Sequence, residues 1–231
     1  MRQRATIVLF DIDGTLVTCG GAGRRAMERA FVEAVGDASV GAFGYGGMTD
    51  RAIVREALTR AGAIIDEARI DEVLDRYLVH LEDELPRATG YAVLPGVLEA
   101  LEALESERAQ GRSIAIGLGT GNLARGAALK LERGGLWSRF AFGGFGSDHE
   151  DRATLLARGA ARGLEHLVPG AHATVVVVGD TPRDVLAAHA IGARCVAVAT
   201  GTYGLDELRA HAPHRLVRDL TDLTAADLLD D

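Results

Sequence analysis

Two aspartates stand directly after an apolar run near the beginning of the chain, in the sequence Asp-Ile-Asp-Gly-Thr at residues 11–15. The preceding run, Ala5–Phe10, is largely apolar and β-branched, which predicts a strand buried on both faces of a parallel sheet. Because open α/β sheets build their sites at the carboxyl ends of central strands, Asp11 and Asp13 stand where carboxylate chemistry would be carried out. For an isolated Asp-Gly pair, a simple turn after the strand is the alternative.

A second acidic pair, Asp180 and Asp184, follows another apolar run and opens a predicted helix with Pro182 in its first turn. Taken alone, Asp180 or Thr181 could simply cap that helix. Two strand ends that each carry two acids would, however, bring four carboxylates together, and without a cation these would raise each other's pKa. A hard divalent metal removes the conflict, and Mg²⁺, held by one or two carboxylates with water and a substrate phosphate, fits best.

Small residues mark a third turn, Gly-Leu-Gly-Thr-Gly-Asn at residues 117–122, at the end of a predicted strand. They allow backbone amides to approach an anion, the hydroxyl of Thr120 adds a donor, and the N-terminus of the next helix adds a partial positive charge. The residues that we expect to contact the phosphate lie in the two glycine-containing turns: Gly14, Thr15, Thr120, Gly121 and Asn122. An ordinary strand-to-helix turn is an equally simple interpretation of residues 117–122.

The elements that must carry these turns alternate between strands and helices. Further strand-like runs lie at residues 113–118, 173–178 and 194–199, and helical patterns lie at 97–110, 123–133, 151–162 and 182–191. This alternation predicts an α/β fold with a parallel sheet covered by helices on both sides. Residues 18–94 interrupt it, with helical patterns near 23–35, 49–61 and 66–85 and no convincing buried strand. We therefore predict a core of residues 1–17 and 95–231 and an inserted helical domain of residues 18–94.

The composition of the chain limits the kinds of partner and the cellular compartment that we expect. The chain has 231 residues, a formal net charge of −8, and 25 basic residues dispersed among 33 acidic ones. Nucleic-acid backbones need clustered Lys and Arg, so no nucleic-acid partner is expected and small molecules are favoured. The apolar runs are far shorter than the roughly 20 residues of a membrane span. Cys19 and Cys195 form no redox pair by spacing, so we expect a cytoplasmic protein, monomeric or weakly dimeric.

The three turns, in this order along the chain, resemble the motifs of the haloacid dehalogenase-like (HAD) superfamily of phosphohydrolases. Residues 11–16 resemble its first motif, Thr120 its second and residues 179–184 its fourth. The resemblance extends over essentially the whole chain, and it is to the branch of phosphoglycolate phosphatases and β-phosphoglucomutases. It implies a Rossmann-like parallel-sheet core with a helical cap inserted after the first motif, which is the position of residues 18–94.

Carried over by position, the resemblance implies a role for each motif residue. The nucleophile falls on Asp11, the general acid/base on Asp13 and phosphate binding on Thr120. Asp180 would bind Mg²⁺ with the Asp11 carboxylate and the Asp13 carbonyl, and Asp184 would support the metal site. The chemistry agrees, because a carboxylate that attacks phosphorus divides hydrolysis into two displacements through an aspartyl-phosphate, and Mg²⁺ offsets the repulsion between anions.

The third motif departs from the family pattern. The resemblance implies a lysine before the helix predicted at 151–162, and this chain has Asp-His-Glu-Asp-Arg at residues 148–152. Arg152 is the favoured replacement, because a guanidinium can bind phosphate through two hydrogen bonds, although it is more rigid than a lysine side chain. Lys130, the only lysine of the chain, is the second candidate. A solvated surface position for Arg152 is the plain alternative.

Hydrolysis of a small phosphorylated metabolite is the leading interpretation, because a helical cap can close over the site and exclude water and large substrates. In the cap, Arg51 at the end of the glycine-containing loop 46–51 could bind a second anionic group of the substrate, or could simply be exposed at a helix start. A sugar phosphomutase would use the same catalytic residues. A catalytically silent binding module with this fold is a further, less favoured interpretation.

Overall fold

The computed structural model describes residues 5–229, and this part of the chain contains eight strands. They are β1 (Ala5–Phe10), β2 (Val17–Cys19), β3 (Tyr91–Val93), β4 (Ser113–Thr120), β5 (Gly143–Phe145), β6 (Ala173–Gly179), β7 (Arg194–Val198) and β8 (Arg215–Val217). Six of them form a parallel sheet in the order β5-β4-β1-β6-β7-β8. The first strand therefore lies inside the sheet, between β4 and β6.

All residues of β1 are buried, because the strand has neighbours on both edges and helices on both faces. Successive side chains point to opposite faces, so Leu9 packs in one apolar core and Phe10 in the other. Phe10 stands opposite Leu118 on β4 and Val178 on β6. This register brings the end of β4 and the residues that follow β1 and β6 to the same edge of the sheet.

Within residues 5–229 the α-helices are α1 (Ala22–Val35), α2 (Asp50–Arg60), α3 (Glu67–Arg87), α4 (Val97–Ala109), α5 (Ala124–Arg133), α6 (Arg152–Leu164), α7 (Pro182–Ala190), α8 (Leu205–Arg209) and α9 (Ala225–Leu229). Helices α6 and α7 contribute Leu155 and Val185 to one core, and α4 and α5 contribute Leu101 and Leu131 to the other. The predicted α/β, Rossmann-like fold is thereby confirmed. No helix in the described residues combines the length and the hydropathy that a membrane span requires.

Helices α1, α2 and α3, with their connections, pack on one another as a helical layer. The longest of them, α3, is capped at its N-terminus by Asp66, whose carboxylate accepts a hydrogen bond from the backbone N–H of Arg69 (2.8 Å). Its buried face joins the core that includes Phe10, and it meets α5 at Gly126, which lies beside Leu78 and Leu81. The layer therefore rests on the core beside the edge of the sheet at which β1, β4 and β6 end.

The prediction that residues 18–94 lack a strand needs correction at both ends. Strands β2 and β3 pair in antiparallel fashion, with Val17 opposite Val93 and Cys19 opposite Tyr91. Each has only three residues, which is too short to show a pattern in the sequence, and the same is true of β5 and β8. The β2–β3 ribbon joins the two places where the chain passes between the core and the helical layer.

Candidate active site

Asp11 lies at the carboxyl end of β1. Its backbone N–H donates to the carbonyl oxygen of Val178 (2.9 Å), so strand pairing continues up to the residue itself. The carboxylate is buried, its Oδ2 lies 3.0 Å from Nη2 of Arg152, and the hydroxyl of Thr120 is hydrogen-bonded to it. Burial raises the pKa of Asp11 to about 6, against the opposing charge of Arg152 and with repulsion from Asp184 adding to the shift.

Asp180 directly follows β6 and is also buried. Its Oδ1 accepts a hydrogen bond from the hydroxyl of Thr15 (3.1 Å). Burial, followed by the charges of Asp184 and Asp11, raises the pKa of Asp180 well above its usual value. Gly14 packs against this carboxylate so closely that a Cβ would overlap it. Gly14 and Thr15 therefore fix the position of Asp180.

Gly14→Ala is expected to destabilise the fold more than an ordinary glycine replacement, because φ is +82° and a Cβ would lie 2.8 Å from Cγ of Asp180. Gly36→Ala is a matched control, since φ is +76° and a Cβ there meets nothing within 4 Å. The control should show backbone strain alone, about 1–2 kcal/mol, and Gly14→Ala should lose about 1–3 kcal/mol more through overpacking. Denaturant unfolding measures both, and equal losses would contradict the packing argument.

Asp184, in the first turn of α7, is fully buried and fixes Arg152. Its Oδ2 accepts hydrogen bonds from the N–H (3.0 Å) and hydroxyl (2.7 Å) of Thr181, and its own N–H donates to Oγ1 of Thr181 (3.3 Å), which completes a capping box at the start of α7. Its Oδ1 accepts hydrogen bonds from Nε (2.9 Å) and Nη2 (2.5 Å) of Arg152, the first residue of α6. The N-termini of α6 and α7 thus meet and hold the Arg152 guanidinium beside Asp11.

The acidic cluster has the composition of a divalent-metal site. One oxygen each of Asp11, Asp180 and Asp184 lies within 4.8 Å of the others. Arg152 contacts two of these carboxylates, so the three together carry more negative charge than it balances. A hard divalent cation with oxygen ligands, such as Mg²⁺, fits this donor set. Asp11 and Asp180 are better placed as direct ligands, because both oxygens of Asp184 already accept hydrogen bonds.

The structure places Lys130 apart from Arg152. The ammonium of Lys130 lies 2.6 Å from Oδ2 of Asp13 and 2.6 Å from Oδ1 of Asn122. Nδ2 of Asn122 donates to the same Asp13 oxygen (2.8 Å). Partial desolvation would raise the pKa of Asp13, but the charge and hydrogen bond of Lys130, with help from Asn122, hold the pKa below its usual value. Arg152 thus contacts Asp11, and Lys130 contacts Asp13.

Thr120, Gly121 and Asn122 form a tight turn between β4 and α5, which we call the 120–122 turn. The backbone N–H and the side-chain Nδ2 of Asn122 both donate to Oγ1 of Thr120, at 3.3 and 2.9 Å. A Cβ on Gly121 would lie 2.5 Å from the carbonyl oxygen of Met48, which precedes α2. The turn therefore lies beneath a loop of the helical layer.

A cavity of about 650 Å³ lies between this edge of the sheet and the helical layer. The predicted site residues that line it from the core are Asp11, Asp13, Gly14, Thr120, Gly121, Asn122, Lys130, Arg152 and Asp180. The helical layer contributes Arg24, Met27, Tyr45, Asp50 and Tyr77, among others. Asp50 lies in the loop 46–51 that the sequence analysis considered for substrate contact, whereas the other four were not found from the sequence. Arg24 could have been found from its position three residues before Met27, because residues with this spacing lie on the same face of a helix.

Arg51 is not brought to this cavity. Its guanidinium donates to the carboxylate of Asp71 (2.6 Å) and to that of Glu67, both on α3. It therefore ties α2 to α3 inside the helical layer, and its position gives no support to the predicted contact with a second anionic group of the substrate. The preceding residue, Asp50, faces the cavity instead.

Known proteins are similar to this chain in sequence and in fold. The family model described as HAD-hydrolase-like matches residues 153–223. A probable phosphatase IndB from Dickeya dadantii is 30% identical over 230 residues, which cover 95% of this chain and 92% of that protein. A phosphoglycolate phosphatase from Synechococcus elongatus is 30% identical over 224 residues, which cover 95% of each. CbbY from Rhodobacter sphaeroides, solved in complex with phosphate, has a TM-score of 0.71 at 19% identity over 100% of both chains, a likeness of fold alone.

The chain belongs to the haloacid dehalogenase-like family of hydrolases, since identity at this level extends over nearly its whole length. The predicted family and the predicted enzyme class, a HAD-like phosphatase, are confirmed.

Proposed function

We propose that the chain hydrolyses a small phosphomonoester in a Mg²⁺-dependent reaction through an aspartyl-phosphate on Asp11. The observation that carries the proposal is the meeting of Asp11, Asp180 and Arg152 in one buried cluster that opens into the cavity. The relatives named as phosphatases support the same reaction class.

Mg²⁺, held by the carboxylates of Asp11 and Asp180 and the backbone carbonyl of Asp13, would supply positive charge that offsets repulsion between the nucleophile and the substrate phosphate. Asp11 attacks phosphorus, the bond from phosphorus to the leaving oxygen breaks, and Asp13 gives that oxygen a proton. Asp13 then takes a proton from water as the water oxygen attacks phosphorus. The bond between phosphorus and Asp11 breaks, and inorganic phosphate is released.

The phosphoryl oxygens would be bound by the 120–122 turn and by Arg152, groups that are already held in place by hydrogen bonds. Donors that are fixed before the reaction cost no reorganisation as charge develops, which is the main source of transition-state stabilisation at such sites. We assign the third-motif position to Arg152, because it contacts the nucleophile. Lys130 would instead anchor the general acid/base, Asp13.

We propose that residues 18–94 act as the cap of this site. The cavity is lined from both the core and the helical layer, so a bound substrate would be enclosed by both. Its volume of about 650 Å³ suits a small metabolite. Enclosure also excludes bulk water from the phosphoenzyme, apart from the attacking molecule.

The test is a panel of phosphorylated metabolites, with p-nitrophenyl phosphate as a general substrate, assayed for release of inorganic phosphate. We expect turnover with Mg²⁺, its loss on addition of EDTA, and its return with excess Mg²⁺, because the acidic cluster lacks enough positive charge of its own. Turnover that survives EDTA would contradict the proposed metal ligands. Isomerisation of a sugar phosphate without release of phosphate would favour a phosphomutase.

A further inference from the structure

Asp50, the first residue of α2, bonds to the core through both its carboxylate and its backbone N–H. Its carboxylate accepts a hydrogen bond from the backbone N–H of Leu123 (2.8 Å), and its own N–H donates to the carbonyl oxygen of Gly121 (2.9 Å). The N-terminus of α2 is capped by Thr49, whose hydroxyl accepts from the N–H of Ala52. The side chain of Asp50 is therefore free to serve another element.

That element is α5, which has Leu123 at its N-cap position and no capping side chain of its own among the described residues. An apolar N-cap leaves the first N–H groups of a helix without partners. Asp50, 73 residues earlier in the chain, accepts from the N–H of the N-cap residue Leu123, and Oγ of Ser147 accepts from the next N–H, that of Ala124 (3.2 Å). The N–H groups at the start of α5 are thus satisfied in part by the core, through Ser147, and in part by the helical layer, through Asp50.

The two hydrogen bonds of Asp50 hold the backbone of the 120–122 turn on either side of Asn122. Gly121 and Leu123 flank Asn122, whose side chain joins Thr120 to Asp13. Fixing the backbone on both sides of Asn122 also fixes the direction of that side chain.

Burying the carboxylate of Asp50 costs free energy, which argues that this residue does more than make a surface contact. The side chain is 6% exposed, and burial raises the pKa of Asp50 to about 6, although the charge of Lys130 and the N–H of Leu123 oppose the shift. A carboxylate is placed in such surroundings only if its hydrogen bonds are satisfied.

We propose that Asp50 is a positioning residue that holds the 120–122 turn in its phosphate-binding shape, and that it does so only while α2 is seated on the core. The proposal rests on the proposed function, because it concerns the same phosphate. The shape of the phosphate-binding turn then depends on contact between α2 and the core. A phosphomonoester so large that it prevents this contact can enter the cavity, but the 120–122 turn is then not held in its phosphate-binding shape.

A second contact between α2 and the core provides the control. Nε of Arg55 lies 2.9 and 3.1 Å from the two carboxylate oxygens of Glu150, beside the start of α6. This ion pair helps to seat α2 but does not touch the 120–122 turn. Arg55→Gln therefore loosens the seating and leaves the acceptor of Asp50 in place.

The experiment compares kcat and KM for Asp50→Ala, Asp50→Asn and Arg55→Gln at saturating Mg²⁺ and pH 8. Misplacing a binding group by about 1 Å costs roughly 10²-fold, so Asp50→Ala should lower kcat by about that factor. Asp50→Asn should stay within about threefold of wild type, because its amide oxygen can accept from Leu123. Arg55→Gln should raise KM a few-fold and leave kcat unchanged. Equal kcat for Asp50→Ala and Arg55→Gln, or an Asp50→Asn as impaired as Asp50→Ala, would overturn the proposal.

Hydrogen exchange tests the same idea without turnover. The amide of Leu123 should exchange about tenfold faster in Asp50→Ala than in Arg55→Gln, because only the former loses its acceptor. If the wild type shows no phosphatase activity, the proposed function fails while this measurement still decides the role of Asp50. If the wild type is active and the amide exchanges equally in both variants, the positioning role alone fails.

Discussion

Asp11→Asn lowers kcat by about 10⁴-fold or more, because the amide cannot form the covalent phosphoenzyme and loss of a nucleophile typically costs this much. The measurement is phosphate release at saturating substrate and Mg²⁺, together with acid-quench trapping of phosphorylated protein, which should be absent in the variant. Asp206→Asn is the matched control, since the Asp206 side chain is 96% exposed. Turnover near the wild-type rate in Asp11→Asn would mean that another group attacks phosphorus.

The same variant should be more heat-stable than the wild type in the absence of metal. The pKa of Asp11 is raised to about 6 in the folded state, above its usual value of 3.8, so the wild type loses stability as pH rises through this range. Asparagine does not titrate, and the advantage of the variant should therefore be larger at pH 7.5 than at pH 5. Melting curves at the two pH values test this, and a lower melting temperature for the variant at both would point to misfolding.

Replacement of Arg152 has the second-largest expected effect. Arg152→Met removes a buried cation that contacts both Asp11 and Asp184, and should lower kcat by about 10²–10³-fold. Without metal, it should also cost about 3–5 kcal/mol of stability, because the buried carboxylates lose their partner. Arg152→Lys restores the charge but not the fork of donors, and we expect kcat within about tenfold of the wild type.

Two further variants control this result. Arg162→Met, on the same helix α6, removes a partly exposed arginine paired with Asp148 (2.6 Å) and should leave kcat unchanged. Lys130→Met removes the cation beside Asp13. If Arg152→Met were fully active and Lys130→Met inactive, the third-motif role would belong to Lys130.

The parts of the site that the sequence predicts are those tied to a local pattern. Asp11, Thr120 and Asp180 each lie at or directly after the end of an apolar strand, and the register of a parallel sheet brings such ends together. Arg152 was also accessible, because it lies in the first turn of the helix predicted at 151–162, where the family resemblance implies a cation. The short strands β2, β3, β5 and β8 could not be predicted from the sequence, since three residues are too few to show the alternation of a strand.

Contacts between segments that are far apart in the chain could not be predicted from the sequence. The bond from Lys130 to Asp13 spans 117 positions and depends on which face α5 turns toward the cavity. The bond from Asp50 to Leu123 depends on how the helical layer sits on the core. Arg51 illustrates the same limit, because one residue along a helix rotates a side chain by about 100°, and this directs Asp50, not Arg51, into the cavity.

The antiparallel pairing of β2 with β3 also bears on how such an architecture can diversify. Cys19 and Tyr91 form the last opposing pair of the ribbon, and the chain between them contains α1, α2 and α3. The whole helical layer therefore occupies the place of a hairpin loop. Insertions at such places are tolerated because the two ends of the insert are already adjacent. Helices there can be lengthened, shortened or exchanged without altering the strand order that brings the acidic residues together, so new substrate preferences can arise while the chemistry stays in place.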